Sequence, residues 1–196
     1  MIRFDKLTIK AQEALQAAQE VAARHDQQQI EPLHLLAALI ARPDGVVPPL
    51  LARLGVRAEL LSGEIEAQFG RLPRVTGVPQ EYLGPAANAA VERAFEEARR
   101  FKDEYVSTEH LFLGIAALDR DPAAEILSRH GATRDAILQA LAAVRGSHRV
   151  TSPTPESTYR ALEQYARDLN DLARAAHPRR QRAAGRARHR ARRPAF

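Results

Sequence analysis

The chain has 196 residues, of which 45% are hydrophobic, and it contains no cysteine. This length allows one compact domain or two small ones, and the lack of cysteine excludes disulfides and thiolate metal sites. The formal net charge of +5 belongs to one end of the chain: residues 175–196 carry eight arginines and no acid, and subtracting those eight charges leaves −3 for residues 1–174. No apolar run approaches the ~20 residues of a membrane span, so we expect a cytoplasmic protein that does not contact membranes.

Residues 5–70 are predicted to form four helices. In the first, over about residues 8–25, alanine and leucine recur on one face with helical spacing. The second begins at Pro32, because proline suits the first turn of a helix. The third ends near Gly55, a glycine able to take a left-handed conformation, and the fourth covers about residues 57–69.

The same pattern returns 76 residues later, in residues 81–145. Residues i and i+76 share apolar, glycine and histidine positions, as in the pairs Ala14/Ala90, Ala18/Ala94, His34/His110, Leu51/Leu127, Gly55/Gly131 and Ile65/Leu141. A loop with two prolines and a glycine, residues 71–82, joins the two copies. The sequence therefore predicts an all-α fold of two tandem, pseudo-symmetric four-helix repeats within residues 1–145, packed face to face and without a β pattern.

Three segments follow the repeats. Residues 146–155 contain Ser-Pro and Thr-Pro and are predicted to be a linker. Residues 156–174 are predicted to form a ninth helix, which carries tyrosines and leucines. The Arg-rich residues 175–196 lack apolar periodicity, so we expect a disordered tail that is dispensable for folding.

Several stretches resemble the N-terminal repeat domain of Clp-type AAA+ chaperones, and of ClpB-type disaggregases in particular. They are residues 4–8, 30–36, 71–75 and 107–111, and residues 161–169 resemble the lead-in to that family's first ATPase module. The resemblance covers residues 2–174 and implies a module that docks unfolded or aggregated polypeptides, or adaptor proteins, for a Clp chaperone. Residues 175–196 depart from the family sequence, so we expect a chain that is truncated before the ATPase, as a change of reading frame would produce. We also expect the chain to be a monomer.

The resemblance also implies a groove that contacts substrate, near Thr8, Asp103 and Glu109. A receptor for unfolded segments needs partly exposed apolar surface, and the apolar candidates are Val91, Phe95 and Leu111. Each residue has a simpler alternative role: Thr8 as a helix N-cap, Asp103 as a solvated loop acid, Glu109 as an acid favoured by the helix dipole, and the apolar three as core. Arg93 and Glu97 stand where the family often has leucine.

The sequence carries no clear metal or hydrolase signature. Glu31 and His34 have the Glu-x-x-His spacing of di-iron bundles, but Ser107 replaces the glutamate in the second repeat, so the motif is not duplicated. We expect no metal or other cofactor, and structural roles for His34 and His110, bonded across the repeat interface. No serine lies in a Gly-x-Ser-x-Gly turn.

Other functions stay open beside the docking module. The eight arginines of the tail could engage the phosphates of a nucleic acid, although only Phe196 is available there for base stacking. The chain could also be a non-functional truncated gene product, or one part of an ATP-driven enzyme whose other modules lie on another polypeptide.

We predict that this chain neither binds nor hydrolyses ATP. Its three lysines are Lys6, Lys10 and Lys102, and none follows a glycine, so the Gly-x-x-x-x-Gly-Lys-[Ser/Thr] motif that cradles phosphates is missing. The ATPase rate of the highly purified protein should equal the buffer background, and calorimetric titration with ATP should give no binding heat. A rate that stays above background through successive purification steps would contradict this prediction.

Overall fold

The computed structural model describes residues 3–75, 77, 80–145 and 149–154, which all lie in one compact unit, residues 1–156. A 3-10 helix, Phe4–Lys6, precedes the first repeat, which comprises α1 (Ile9–Arg24), β1 (Gln29–Ile30), α2 (Pro32–Ile40), α3 (Val47–Arg53) and α4 (Ala58–Phe69). The second repeat comprises β2 (Tyr82–Leu83), α5 (Pro85–Phe101), α6 (Thr108–Ala116), α7 (Pro122–Arg129) and α8 (Arg134–Arg145).

The helix bounds confirm the tandem repeat. Adding 76 to the bounds of α2 gives 108–116, which are the bounds of α6, and adding 76 to those of α4 gives 134–145, which are the bounds of α8. The prediction of an all-α fold of two pseudo-symmetric four-helix repeats is therefore confirmed. The ninth helix expected over residues 156–174 and the disordered tail expected over residues 175–196 lie outside the described residues.

The helices begin and end at capping residues, prolines and glycines that were identified from the sequence. The Thr8 hydroxyl accepts a hydrogen bond from the Ala11 N–H at the start of α1 (3.2 Å), and Pro32 and Ser107 occupy the expected places at the starts of α2 and α6. Gly55 and Gly131 adopt φ values of 72° and 81° just beyond α3 and α7. The left-handed glycines let the chain reverse there without a steric cost.

Helices α2 and α6 lie at the centre of the fold, each with most of its residues buried. The alanine faces of α1 and α5 pack against them, and the approach is closest where Gly114 of α6 meets the backbone of Ala90 and Ala94 in α5. The buried residues of both repeats form one continuous apolar cluster. The two repeats thus share one hydrophobic core, and each repeat buries part of its apolar surface against the other.

Two short parallel pairings, which the sequence does not predict, join the repeats. Leu7 pairs with Val106 in an isolated bridge, and β1 pairs with β2, with Ile30 opposite Leu83. A shift of 76 residues turns one pairing into the other, since Leu7 corresponds to Leu83 and Ile30 to Val106. Periodicity could not reveal strands of one or two residues, because alternation needs at least four.

Among the described residues, no helix is both long enough and apolar enough to span a membrane.

The tight contact at Gly114 generates a stability prediction. A Cβ at this position would lie 2.9 Å from the Ala94 nitrogen and closer still to the Ala90 carbonyl oxygen, and backbone atoms cannot rotate away. We expect Gly114→Ala to lower the free energy of unfolding by about 3 kcal/mol, as overpacking in a closed core does. Urea denaturation followed by circular dichroism measures this change.

Gly63 in α4 is the matched control, because a Cβ there meets nothing within 4 Å. Gly63→Ala should raise the free energy of unfolding by about 0.5–1 kcal/mol through the helix preference of alanine. Equal effects of the two substitutions would show that the α5–α6 contact does not limit the size of residue 114.

Candidate functional site

The structure places most of the predicted site residues inside the protein. Thr8 caps α1, and Val91 of α5 and Leu111 of α6 belong to the apolar core, all three with no exposed surface. Phe95 of α5 is partly buried against the same core. A ligand cannot contact Val91 or Leu111 in this conformation. Their role in substrate binding stays a prediction, and it would have to be indirect, through residues that pack on them.

The two predicted acids are also buried, although the sequence offered a solvated loop acid as one alternative for Asp103. The Asp103 side chain has no exposed surface, because it lies under the end of α8 and the segment that follows. Glu109 is 1% exposed in the first turn of α6, and its Oε2 makes no hydrogen bond within the described part of the chain. The helix N-terminus favours the negative charge of Glu109.

Asp103 stands at the centre of a charged network in the second repeat. Its Oδ2 lies 3.0 Å from His110 Nε2 and pairs with the Arg145 guanidinium. Burial by itself would raise the pKa of the Asp103 carboxyl, but the hydrogen bonds from His110, Arg145 and the Val150 N–H together hold the pKa below its ordinary value. The lowered pKa favours the ionised carboxylate of Asp103, which ties α6 to the end of α8.

The first repeat has a neutral network at the equivalent positions. His34 Nδ1 accepts a hydrogen bond from the Glu31 N–H (2.8 Å), so Nε2 carries the proton and donates to Gln27 Oε1 (2.6 Å). The Gln27 amide donates in turn to the Phe69 carbonyl oxygen (2.6 Å). The His34 ring stacks on the Phe69 ring, with 4.8 Å between the centroids.

These networks correct one expectation about the histidines. His34 and His110 are structural, as predicted, but each makes its hydrogen bonds within its own repeat and not across the repeat interface. Each ring accepts a hydrogen bond from the backbone N–H of the residue that precedes its helix. A side chain at the third position of a helix can reach back to that group. In the described part of the chain, no three acidic or histidine side chains are grouped to hold a metal ion.

Residues 149–154, expected to be part of a linker, make hydrogen bonds to both repeats. The Val150 N–H donates to Asp103 Oδ1 (2.9 Å), and the Val150 carbonyl oxygen accepts from the Glu104 N–H (2.9 Å). Three residues further on, the Pro153 carbonyl oxygen accepts from the Ile9 N–H (2.9 Å). The Val150 side chain is buried, whereas Arg149, Thr151, Pro153 and Thr154 are exposed.

Two apolar side chains near the start of α1 are exposed. Phe4 is 53% exposed and Ile9 is 46% exposed, and the Gln12 amide holds their segment by donating to the Phe4 and Leu7 carbonyl oxygens. Neither residue was predicted from the sequence, since an apolar residue before or at the start of a helix gives no periodic signal. Where the family often has leucine, Glu97 forms a two-pronged ion pair with Arg134 (2.9 and 3.0 Å), and Arg93 is exposed.

The neutral state of His34 makes stability depend on pH. Burial, together with the nearby charge of His25, lowers the pKa of His34 to about 4 in the folded protein, against an ordinary value of about 6.5. A lowered pKa means that the stabilisation is full above pH 6.5 and is lost as the pH falls towards 4. Between pH 7 and pH 5 we expect this group to remove about 2 kcal/mol from the free energy of unfolding.

His34→Gln tests this prediction, because glutamine at the same position can still reach back to the helix start but does not titrate. Urea denaturation at pH 7 and pH 5 should show a smaller loss of stability for the variant than for the wild type, by about 2 kcal/mol. All other ionisable groups are shared, so their contributions cancel. The prediction is wrong if both proteins lose the same amount.

The chain is similar in sequence to proteins of known family. The family described as Clp repeat (R) N-terminal domain matches residues 6–130. The chaperone protein ClpB of Mycobacterium tuberculosis is 44% identical over 168 residues, which make up 85% of this chain and 20% of that protein. ClpB of Rhodopirellula baltica is 40% identical over 171 residues, 87% of this chain and 19% of the relative. The chain thus spans about a fifth of the length of these relatives.

Solved structures agree at the level of the fold. The N-terminal domain of Hsp104 from Candida albicans superposes with a TM-score of 0.66 at 24% identity, covering 77% of this chain and 99% of that one. A ClpV N-domain, solved in complex with a VipB peptide, superposes with a TM-score of 0.56 at 14% identity, covering 70% of this chain and 86% of that one. Sequence and fold together show that the chain belongs to the family of Clp repeat N-terminal domains.

Proposed function

We propose that this chain is a protein-binding module of the Clp chaperone type, which docks unfolded or aggregated polypeptides, or an adaptor, for an AAA+ disaggregase and has no ATPase activity of its own. The main support is its membership of the Clp repeat family together with its 44% identity to a ClpB chaperone. The peptide in the ClpV N-domain complex supports the same kind of activity, although that likeness extends only to the fold.

The exposed apolar pair Phe4 and Ile9 is the part of the surface that suits this task. Unfolded polypeptides offer aliphatic and aromatic side chains, and apolar surface rimmed by polar groups binds them. Ile9 follows Thr8, and the bridge between Leu7 and Val106 brings this part of the chain beside the segment that follows Asp103. Phe4 lies in the 3-10 helix that precedes the bridge. In the proposal, the buried residues Thr8, Val91, Asp103, Glu109 and Leu111 shape this surface from below, and Phe95 contributes from α5.

Such a site should bind weakly. Burial of about 150 Å² of apolar surface by the pair yields about 4 kcal/mol at about 25 cal/mol per Å², and ordering a flexible client consumes part of that gain. A gross gain of about 4 kcal/mol corresponds to a dissociation constant of about 1 mM. The micromolar or weaker binding that we expect therefore requires about 300 Å² of apolar contact in total, of which this pair supplies about half. We propose that the chain acts as a monomer, and that a full-length Clp chaperone or an adaptor is a further partner. The cytoplasmic location expected from the sequence stays a prediction.

We predict that the double substitution Phe4→Ser and Ile9→Ser weakens binding of fluorescently labelled unfolded β-casein by at least about tenfold, because the apolar contact is lost. Fluorescence anisotropy measures the dissociation constant. Leu60→Ser is the matched control, since Leu60 on α4 is similarly exposed at 44% and should leave binding unchanged. If all three proteins bind casein equally, the docking surface lies elsewhere.

The basic residues 175–196 define the competing function, and the same assay tests it. Apolar docking should change little between 50 and 300 mM salt, whereas binding through eight arginines should decline steeply. Deletion of residues 175–196 should leave casein binding intact. If casein and a mixed-sequence DNA both bind the full chain and both lose binding on this deletion, the tail is the binding element and the docking proposal is wrong.

A further inference from the structure

One segment of the chain already lies on the protein in the way that a bound peptide would. Residues 149–154 follow the last helix, and the repeats hold them by main-chain groups: the Val150 N–H, the Val150 carbonyl oxygen and the Pro153 carbonyl oxygen. Within this segment, Val150 is the one residue that is buried. The segment is thus recognised by its backbone and a single aliphatic side chain.

The receiving groups come from both repeats. The Asp103 carboxylate and the Glu104 N–H form one end of the contact, and the Ile9 N–H forms the other. The pairing of Leu7 with Val106 places these two ends side by side, because the Thr8 N–H donates to the Val106 carbonyl oxygen (2.9 Å). The N–H groups of Glu104 and Ile9 and the carboxylate of Asp103 can therefore bind the main chain of a peptide that lies between them.

We propose that residues 149–154 occupy a peptide-binding site of this domain, and that a non-helical client segment with an aliphatic side chain binds there by displacing them. This inference rests on the proposed docking function and assigns it a site. Recognition through main-chain groups does not depend on side-chain sequence, which is the property needed to bind unrelated unfolded polypeptides. The buried Val150 side chain indicates that the preferred client residue is valine or a similar aliphatic residue.

Displacement is feasible because the Asp103 carboxylate keeps other partners and the client supplies acceptors for the Glu104 and Ile9 N–H groups. Asp103 retains His110 and Arg145 when the Val150 N–H leaves, and most residues of the segment are exposed. A tethered segment competes at a high effective concentration, so the site in the wild-type chain is occupied most of the time. If it is open about a fifth of the time, clients bind about 5-fold more weakly than they would to an open site.

The substitution Val150→Ser tests the inference on the full chain. It weakens the hold on the segment but leaves Asp103, Glu104 and Ile9 unchanged, so labelled unfolded β-casein should bind about 5-fold more tightly than to the wild type. Val150→Ala is the milder companion variant and should give a smaller change in the same direction. Both variants should keep the wild-type circular dichroism spectrum.

Ile9→Pro tests the receiving side. Proline suits the first position of a helix, and Pro85 already holds the equivalent place in α5, so the fold should be retained while the N–H that receives Pro153 is removed. In the Val150→Ser background, Ile9→Pro should reverse the gain in casein binding, since the client needs the same N–H. The proline also keeps an apolar surface at residue 9.

Hydrogen exchange of the wild-type chain gives a readout without any variant. Addition of casein should remove protection from the Val150 amide and leave the Ile9 and Glu104 amides protected, because the client replaces the segment at those two donors. If casein binds with no change at Val150 and Val150→Ser binds it as the wild type does, the inference is wrong and the docking function stands. If neither protein binds casein, both proposals are wrong.

Discussion

The exchange of short backbone pairings between the two repeats is the constraint on which the rest of the structure depends. The chain entering α1 pairs with the chain entering α6, and the chain entering α5 pairs with the chain entering α2. Each pairing fixes the start of one helix in one repeat against the start of another helix in the other repeat. The shared core and the adjacency of Ile9 to the loop at Asp103 both follow from it.

The two repeats use the same architecture for different purposes. Alignment by 76 residues sets Gln27 of the first repeat on Asp103 of the second, and Phe69 on Arg145. In the first repeat, the histidine stacks on an aromatic ring and bonds an amide, which produces a neutral interior. In the second repeat, the same positions hold an ion pair whose carboxylate has a spare oxygen for a main-chain N–H. The second repeat therefore binds the Val150 N–H through a side-chain carboxylate, whereas Gln27 at the equivalent position of the first repeat donates to the Phe69 carbonyl oxygen.

Much of the fold was predictable because helices have a periodic apolar face and characteristic residues at their ends. The alanine faces, the proline and serine at the starts of α2 and α6, and the glycines after α3 and α7 predicted the eight helices of the described residues to within a few positions. The bridge at Leu7 escaped prediction because a pairing of one residue has no pattern. The direction of the histidine bonds also escaped, since sequence spacing does not say which buried partner a ring nitrogen meets.

The site was less predictable than the fold. Thr8 and Asp103 adjoin the groups that hold residues 149–154, but the sequence could not show that Val91, Glu109 and Leu111 are buried. Apolar residues on an amphipathic helix look alike whether they face the core or line a groove. Phe4 and Ile9 were missed for the opposite reason, because they precede or begin a helix and belong to no stripe. The equivalence of Gln27 with Asp103 was visible in the repeat alignment, and it was the one signal that could have identified the charged network.

The swapped pairings also have a consequence for how such a domain can arise. A single repeat contains both halves of the exchange, one before its first helix and one before its second. Two identical copies related by a two-fold axis would satisfy each other's backbone groups and close a common core, as isologous dimers do. The tandem chain has the pairing pattern of such a homodimer, and because its two halves differ in sequence, one can keep a neutral interior while the other holds Asp103 and Arg145.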